Sequence, residues 1–319
     1  MHSGRSSIVA SDFEISTVCD PRRKKPTLAS DHLCNKVVRK AVSRPPIHKC
    51  RQLPVTGQWE RPGTVVFEDL LLRKKRIHSA RKSGESAITY ISIQSLEIRQ
   101  VNDAVSCIFH SLLTHRSVAK FQYKDDSNYS LGSLGTKEVE CENIDLSYVK
   151  INSDELSYQL EKEIKPFLVE LDNTVKAAPP RKLTPHNSPT PLESAIPLLG
   201  TQISLEFFQR RPRPWPLPVE SVAWERWILF LDIFKASSYD DLARMRVSVA
   251  ESVGEIVLQL CSCINRQQYL PKMPTRTELS NVFDPSLPDC QPYLFKVCQA
   301  VPQTGFSGMR RYLRDLVIN

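Results

Sequence analysis

Reactive side chains in this 319-residue sequence do not form the motifs of a recognisable catalytic or metal site. Cys261 and Cys263 are a close pair, but on a helix they point to different faces and no histidine lies nearby in sequence. His110 and His115 are expected at a helix end or on the surface rather than as metal ligands. Phosphate-binding loops of the G-x-x-x-x-G-K and G-x-G-x-x-G kinds are absent, and residues 132–135 miss the G-x-S-x-G nucleophile elbow by one position. The sequence therefore favours a binding or scaffold protein without cofactor or metal. A hydrolase stays open as an alternative, because catalytic groups need only meet in space.

Binding chemistry is concentrated in a proline-rich stretch, residues 210–219. Arg213, Trp215 and Leu217 alternate there with Pro212, Pro214, Pro216 and Pro218. Since proline offers no N–H to a sheet and has a fixed φ, this stretch must leave any sheet that its flanks form and become a stiff loop of the polyproline II type. Trp215 then either folds back to cap the core or is displayed as an anchor for a partner, and composition alone leaves both alternatives open.

The flanks of this loop predict the two strands of a hairpin. Apolar residues alternate at strand spacing on both sides, at Ile203, Leu205 and Phe207 before it and at Trp227, Leu229, Leu231 and Ile233 after it. Ile228, Phe230 and Phe234 make the second face of the later strand apolar too. We therefore expect a hairpin in the centre of a covered sheet, with Trp215 at its tip.

Apolar stripes of helical period predict three core helices, over residues 98–115, 153–171 and 239–265. Ser153 and Ser238, each followed by acidic residues, are good N-terminal caps for the second and third. Pro166 is expected to kink or weaken the second helix near its end. The third stripe runs for more than six turns, from Leu242 to Ile264, and predicts a helix inside the core.

Charge and composition divide the chain. Residues 1–87 contain 18 Lys/Arg and 8 Asp/Glu, a net charge of +10, whereas residues 88–319 contain 25 and 27, a net charge of −2. The first segment has little apolar periodicity and is expected to be mostly disordered. Residues 177–200, rich in proline and serine, predict a flexible insert whose Ser/Thr-Pro steps are candidate kinase sites. Residues 309–316 predict a short amphipathic helix.

The nine cysteines lack a disulfide-like pattern, and we find no signal peptide and no transmembrane segment, which favours a reducing, intracellular compartment. The basic clusters Arg22–Lys25 and Arg73–Arg76 leave a second hypothesis open. Clustered Lys and Arg would suit a protein that binds nucleic acid or a membrane surface through its N-terminal extension.

Short blocks over residues 88–319 carry a resemblance to a known family. They include His115-Arg116-Ser117, Ser204 to Phe207, Trp215-Pro216, Trp224-Glu225 with Trp227, Asn265-Arg266, and Tyr269 to Pro274. Further blocks follow in the same order, at Asn281 to Asp284, Gln291 to Leu294 and Met309 to Arg311. Together they make the chain similar to the autophagy-related protein 101 family, with residues 177–200 as an interruption.

The resemblance implies a single HORMA domain of the α+β class, in which a central, mostly antiparallel sheet carries three core helices. It implies a subunit without catalytic activity that pairs with the HORMA domain of autophagy-related protein 13. That pair would act in the cytoplasm, at phagophore assembly sites, within the kinase complex that initiates autophagy and with its scaffold subunit.

The resemblance also implies site residues. Trp215 and Pro216 fall on a hairpin finger that recruits downstream phagophore factors, which favours display of Trp215. Leu217 stands where the family has a phenylalanine, so it keeps apolar area but loses the flat aromatic face. By analogy with other HORMA pairs, Arg244 and Arg246, on the exposed face of the helix over 239–265, are candidates for the pairing surface.

Overall fold

The computed structural model of the protein describes residues 14–16, 77–80, 87–177, 199–234, 236, 238–265, 270–299 and 303–304. The strands are β1 (Glu14–Ser16), β2 (Ile77–Ala80), β3 (Ala87–Glu97), β4 (Ser117–Val118), β5 (Phe121–Tyr123), β6 (Tyr129–Leu131), β7 (Ser133–Glu140), β8 (Ser147–Ile151), β9 (Leu199–Arg211), β10 (Glu220–Phe234), β11 (Gln291–Pro292), β12 (Phe295–Gln299) and β13 (Gln303–Thr304). The helices are α1 (Gln100–His115), α2 (Asp154–Ala177), α3 (Tyr239–Ile264) and the short α4 (Leu279–Val282), with a 3-10 turn at Arg276–Glu278.

The central sheet has the order β12-β9-β10-β3-β2, with β13 beside the start of β9. The pair β3–β10 is parallel and the other pairs are antiparallel, so the expected α+β class with a mostly antiparallel sheet is confirmed. The predicted hairpin is confirmed as β9 and β10, which lie in the middle of this sheet. The hairpin strands are therefore held on both sides over most of their length.

The two faces of the hairpin differ in burial. Residues at alternate positions are fully buried in the core, including Leu205, Trp227 and Leu229. On the opposite face Ile228 and Phe230 are half-buried, with Phe230 stacked on Tyr90 of β3 at 6.1 Å between ring centroids. The second apolar face that the sequence predicts is thus present, but it is less deeply covered than the first.

The predicted caps and helices lie close to their expected positions. The Ser238 hydroxyl accepts a hydrogen bond from the Asp241 N–H at 3.1 Å, and the Ser153 hydroxyl accepts one from the Leu156 N–H at 3.3 Å. Helix α2 runs through Pro166 to Ala177, six residues beyond its predicted end at residue 171, and the expected kink or weakening at Pro166 stays a prediction. Apolar residues beyond the proline, such as Leu171, are buried in the core, and this packing holds the helix past the missing N–H.

Helix α3 corrects another expectation. Its buried residues begin only at Val249, whereas Tyr239 is 84% exposed and Val247 is 49% exposed. The predicted core helix is therefore a core helix in its C-terminal part and a surface helix in its first turns. By length and composition α3 could cross a membrane, but buried core helices meet the same criterion, and 44% of its most apolar window is buried.

The helix predicted over residues 309–316 lies outside the described residues, and so do most of residues 1–87 and 177–200 with the predictions made for them. Within 1–87 the structure places two short strands and the first residue of β3. β1 pairs with β7 at Ile15 and Leu134, and β2 pairs with β3 at Ile77 and Ile91.

Candidate interaction site

The hairpin tip, residues 210–219, is the most exposed part of the described sheet. All ten of its residues are exposed. Trp215 lies at the apex and is 93% exposed, the highest value among the exposed large apolar residues that the structure describes. Leu217 and Val219 follow on the descending side, at 55% and 57%. Trp215 does not fold back onto the core, so of the two alternatives for its side chain the structure has the displayed one.

The apex is a tight turn rather than the extended polyproline II loop that the prolines predict. The Leu217 N–H donates to the Pro214 carbonyl at 3.0 Å, and the Trp215–Pro216 peptide is cis. This hydrogen bond closes a four-residue turn that reverses the chain, whereas a polyproline II segment has no internal hydrogen bonds and would have continued straight. Spacing of prolines alone could not distinguish the two, since prolines are common in both.

An ion pair links the two sides of the tip. Arg213 Nη2 lies 2.5 Å from Glu220 Oε1, and Arg213 Nε donates to Glu220 Oε2 at 3.1 Å. The hydrogen bond from Arg213 lowers the pKa of the Glu220 carboxyl, so this pair persists under mildly acidic conditions. Glu220 is also the register partner of Arg211 across the hairpin. The ion pair between Arg213 and Glu220 therefore connects the two sides of the hairpin close to Trp215.

The base of the finger is fixed by an aromatic cluster around Trp224. Trp224 lies at a register shift in β10, where the strand bulges between Ala223 and Glu225. Its ring is buried and packs edge-on against Tyr293 at 5.2 Å and against Phe207 at 5.7 Å. The bulge brings this side chain into the core and leaves the strand beyond it free to project.

A buried ion pair next to this cluster was not anticipated from the sequence. The Arg116 guanidinium donates to both carboxylate oxygens of Glu225, at 2.6 and 2.9 Å, and also to the carbonyl of Ile264 at 2.9 Å. The guanidinium carbon lies 5.9 Å from the Trp224 ring centroid. One side chain thus ties the end of α1, the base of the finger and the last turn of α3. The blocks Arg116-Ser117 and Trp224-Glu225 were noted only as parts of a resemblance, and 109 residues separate the partners.

A second charged group lies on the sheet below the finger. Glu206 on β9 is buried and pairs with Arg226 on β10 and with Lys296 on β12, 2.7 Å away. Burial raises the pKa of the Glu206 carboxyl, but hydrogen bonds from Lys296 and Arg226 outweigh it, and the net direction is downward. These pairs join three neighbouring strands and stiffen the sheet from which the finger projects.

The two arginines expected on a pairing surface lie in the first turns of α3. Arg244 is exposed and pairs with Asp241 of the same helix at 3.1 Å, whereas Arg246 is half-buried. They lie on the same helix as the exposed Tyr239 and Val247, whereas Trp215 lies on the hairpin between β9 and β10. The candidate pairing residues and the candidate finger residues therefore belong to separate elements.

The two histidines of α1 were expected at a helix end or on the surface, and the outcome differs between them. His115 is the last residue of α1, so its helix-end position is confirmed, although its side chain is buried. His110 lies inside the helix and is buried, so the expectation was wrong for this residue. His110 stacks on Tyr148, and His115 Nε2 lies 3.5 Å from Cys261 Sγ. Burial lowers the pKa of His110 to about 3 and that of His115 to about 4, so both rings are neutral near pH 7. Within the described ranges, no group of three or more His, Cys, Asp or Glu residues is arranged to hold a metal ion.

The fold and the tip define a class: a single α+β domain that displays an aromatic hairpin finger. A family model described as Autophagy-related protein 101 matches residues 94–277, which include the finger and the helices α1 and α2. Similar proteins carry the same name. The protein from Xenopus tropicalis is 36% identical over 225 residues, which is 69% of this chain and 94% of the relative.

The human relative is 35% identical over the same lengths, and the relative from Arabidopsis thaliana is 19% identical over 198 residues, which is 56% of this chain and 74% of that protein. The chain belongs to the autophagy-related protein 101 family. The resemblance noted in the sequence is thereby confirmed, and the family name connects the chain with autophagy.

Proposed function

We propose that this protein is an adaptor without catalytic activity that acts at the start of autophagy. In this proposal its α+β domain is a HORMA domain that pairs with the HORMA domain of autophagy-related protein 13 and stabilises it. The pair belongs to the autophagy-initiation kinase complex, in contact with its scaffold subunit, and works in the cytoplasm at phagophore assembly sites. Membership of the family supports this proposal.

The observation that carries the recruiting role is the display of Trp215 at the apex of the finger, where it is 93% exposed. A large aromatic side chain in solvent is costly unless a partner covers it, and tryptophan is enriched in binding hot spots. The turn at Pro214 to Leu217 and the pair Arg213–Glu220 hold the apex in place before binding. This preorganisation lowers the entropy lost when Trp215, Pro216 and Leu217 engage a downstream factor.

The pairing role is assigned to the first turns of α3. Tyr239 and Val247 are exposed there beside Arg244 and Arg246, which gives an apolar centre with charged neighbours. Such a composition is typical of a protein interface. Because these residues lie on α3 and the finger is the tip of the β9–β10 hairpin, one molecule can pair and recruit at the same time.

The test is a binding titration of the full chain against the HORMA domain of autophagy-related protein 13 from the same source. We expect a tight one-to-one complex that Trp215→Ala leaves unchanged. Arg244→Glu combined with Val247→Asp should weaken pairing on the order of a hundredfold or more, because it places two uncompensated charges in the interface.

A matched control is Lys162→Glu with Val169→Asp on the exposed face of α2, which should have no effect. Absence of a complex at roughly micromolar concentrations would mean that the family fold is present without the pairing role. Loss of pairing in Trp215→Ala would contradict the proposal that α3 binds the HORMA partner and the finger binds downstream factors.

A further inference from the structure

We propose that the hairpin tip also docks on an anionic lipid surface. In this arrangement Trp215 and Leu217 enter the boundary between headgroups and acyl chains, while Arg210 and Arg211 contact acidic headgroups. The inference goes beyond the proposed pairing and recruitment, since it needs only the tip and a membrane. It also differs from a membrane role for the N-terminal extension, because it assigns the contact to residues 210–219.

The shape and composition of the tip fit a membrane. Three exposed large apolar residues, Trp215, Leu217 and Val219, fall within five positions at a convex apex. A convex apolar tip needs a matching pocket in a protein partner, whereas a lipid surface yields around it. Tryptophan is moreover the side chain most typical of membrane interfaces, because its ring is apolar and its N–H can stay hydrated.

The backbone of the tip is suited to partial dehydration. Half of the residues in 212–219 are prolines, which bring no N–H: Pro212, Pro214, Pro216 and Pro218. The Leu217 N–H is already bonded to the Pro214 carbonyl. Because each unsatisfied backbone donor costs several kcal/mol in hydrocarbon, a tip with few free donors enters a lipid interface at a lower cost than an ordinary loop.

The charges behind the apex fit anionic headgroups. Residues 207–221 contain Arg210, Arg211 and Arg213 and a single acid, Glu220, so the finger carries a net charge of +2. Glu220 is engaged mainly by Arg213. Arg211 lies four residues before Trp215, at most about 14 Å along the chain, so it can reach headgroups when the ring sits at their inner boundary. Each such cation strengthens the binding to an anionic leaflet by a few-fold.

Leu217 favours lipid over a shaped aromatic pocket as the occupant. Its side chain is 55% exposed and offers apolar area without a flat ring. Stacking in a protein pocket depends on such a ring, whereas partition into acyl chains depends mainly on area. Leu217 therefore suits membrane contact better than stacking in an aromatic pocket.

The test uses the full chain and vesicles of phosphatidylcholine, alone or mixed with phosphatidylserine, made with and without brominated acyl chains. Bromine quenches tryptophan fluorescence only at short range. All variants are made in a Trp59→Phe background, so that the remaining tryptophans are Trp215, Trp224 and Trp227. We expect quenching in the mixed vesicles that disappears in Trp215→Ala, since Trp224 and Trp227 are buried in the domain. The same variant should bind mixed vesicles on the order of tenfold more weakly.

Arg210→Gln with Arg211→Gln should also weaken binding to mixed vesicles on the order of tenfold, and leave the weaker binding to phosphatidylcholine alone unchanged. Matched controls on the surface of α2 are Tyr158→Ala for the exposed aromatic ring and Lys162→Gln with Lys165→Gln for the two cations. These should leave both readouts as in the wild type.

Three outcomes would overturn the inference. Quenching that persists in Trp215→Ala would come from another tryptophan, and vesicle binding without any quenching would assign the contact to residues outside the finger. If the finger variants keep their vesicle binding but lose a downstream protein factor, the finger serves proteins alone, and the proposed function stands while this inference falls. Loss of pairing through α3 would instead affect the proposed function and leave the vesicle result unchanged.

Discussion

Arg116 carries a buried positive charge in the described core, and this charge is paired with Glu225. Its guanidinium is 1% exposed and the Glu225 carboxylate is fully buried, so neither charge can be solvated if the other is removed. We predict that Glu225→Gln lowers the free energy of unfolding by about 3–5 kcal/mol, because it strands a cation that also holds the last turn of α3. Equilibrium unfolding in urea measures this loss.

The control for this prediction is an exposed ion pair, Lys176–Asp172 on α2. Lys176→Ala should cost less than about 1 kcal/mol, since water screens the pair. Replacement of both buried partners, Arg116→Met with Glu225→Leu, should recover part of the stability of the single variant. A single variant as stable as the wild type would show that the buried charge finds another partner.

His110 makes stability depend on pH. Burial lowers its pKa from 6.5 to about 3, with smaller contributions from the nearby cations Lys150 and Lys137. The unfolded chain therefore takes up a proton below pH 6.5 that the folded chain does not, so this residue removes stability as the pH falls from 6.5 towards 3. At pH 5 the loss is about 2 kcal/mol.

The measurement is urea unfolding at pH 7 and pH 5 for the wild type and for His110→Phe, which keeps a ring against Tyr148. The variant should lose about 2 kcal/mol less than the wild type between the two pH values. Equal losses in both proteins would mean that His110 is protonated in the folded state. His115, whose pKa is also lowered by burial, remains as a background in both proteins.

At the scale of a residue, sequence could predict chemistry but not environment. Trp215 was a candidate anchor because prolines surround it, yet its exposure depends on a turn that the sequence does not specify. Arg116 and Glu225 are separated by 109 residues, and nothing local pairs them. His110 shows the same limit, since a polar residue beside the apolar stripe was expected at a helix end or on the surface, although the core encloses it.

The secondary-structure elements were predicted best where one apolar period runs through them. The helices α1 and α3 lie within about two residues of their predicted bounds, because period and caps are local properties. The apolar periodicity could not show which of the apolar residues of a helix are buried by the rest of the protein. The stripe of α3 includes Leu242 and Met245, which are half-buried, beside residues that are fully buried from Val249 onwards.

Gly254 offers a test of α3 as an element. It lies inside the helix, and a Cβ added there would meet only Leu146 Cδ1, at 4.0 Å. Since glycine in a helix interior is less favourable than alanine by about 0.5–1 kcal/mol, Gly254→Ala should raise the free energy of unfolding by roughly that amount. A urea midpoint at or below the wild-type value would mean that the helix does not run uninterrupted through this position.

At the scale of the whole molecule, the pairing of strands distant in sequence was out of reach. β3 and β10 lie parallel with Ile91 beside Leu229, although more than a hundred residues separate them. Local sequence patterns predict strands and helices. Which strand pairs in parallel with β3 depends instead on how α1 and α3 pack against the sheet. The family resemblance supplied the α+β class that local patterns alone left open.

The architecture also separates folding from recognition, and this can be tested by removing the apex. Arg211 and Glu220 are direct register partners, so residues 212–219 can be replaced by Asn-Gly, which closes a hairpin in two residues. Because every replaced residue is exposed, the free energy of unfolding should change by less than about 1 kcal/mol. Pairing with the HORMA domain of autophagy-related protein 13 should be retained, while quenching by brominated vesicles and downstream recruitment are lost together. A much lower free energy of unfolding in the shortened protein would contradict this prediction. It would mean that the apex stabilises the domain and that the buried cluster around Trp224 does not hold the hairpin on its own.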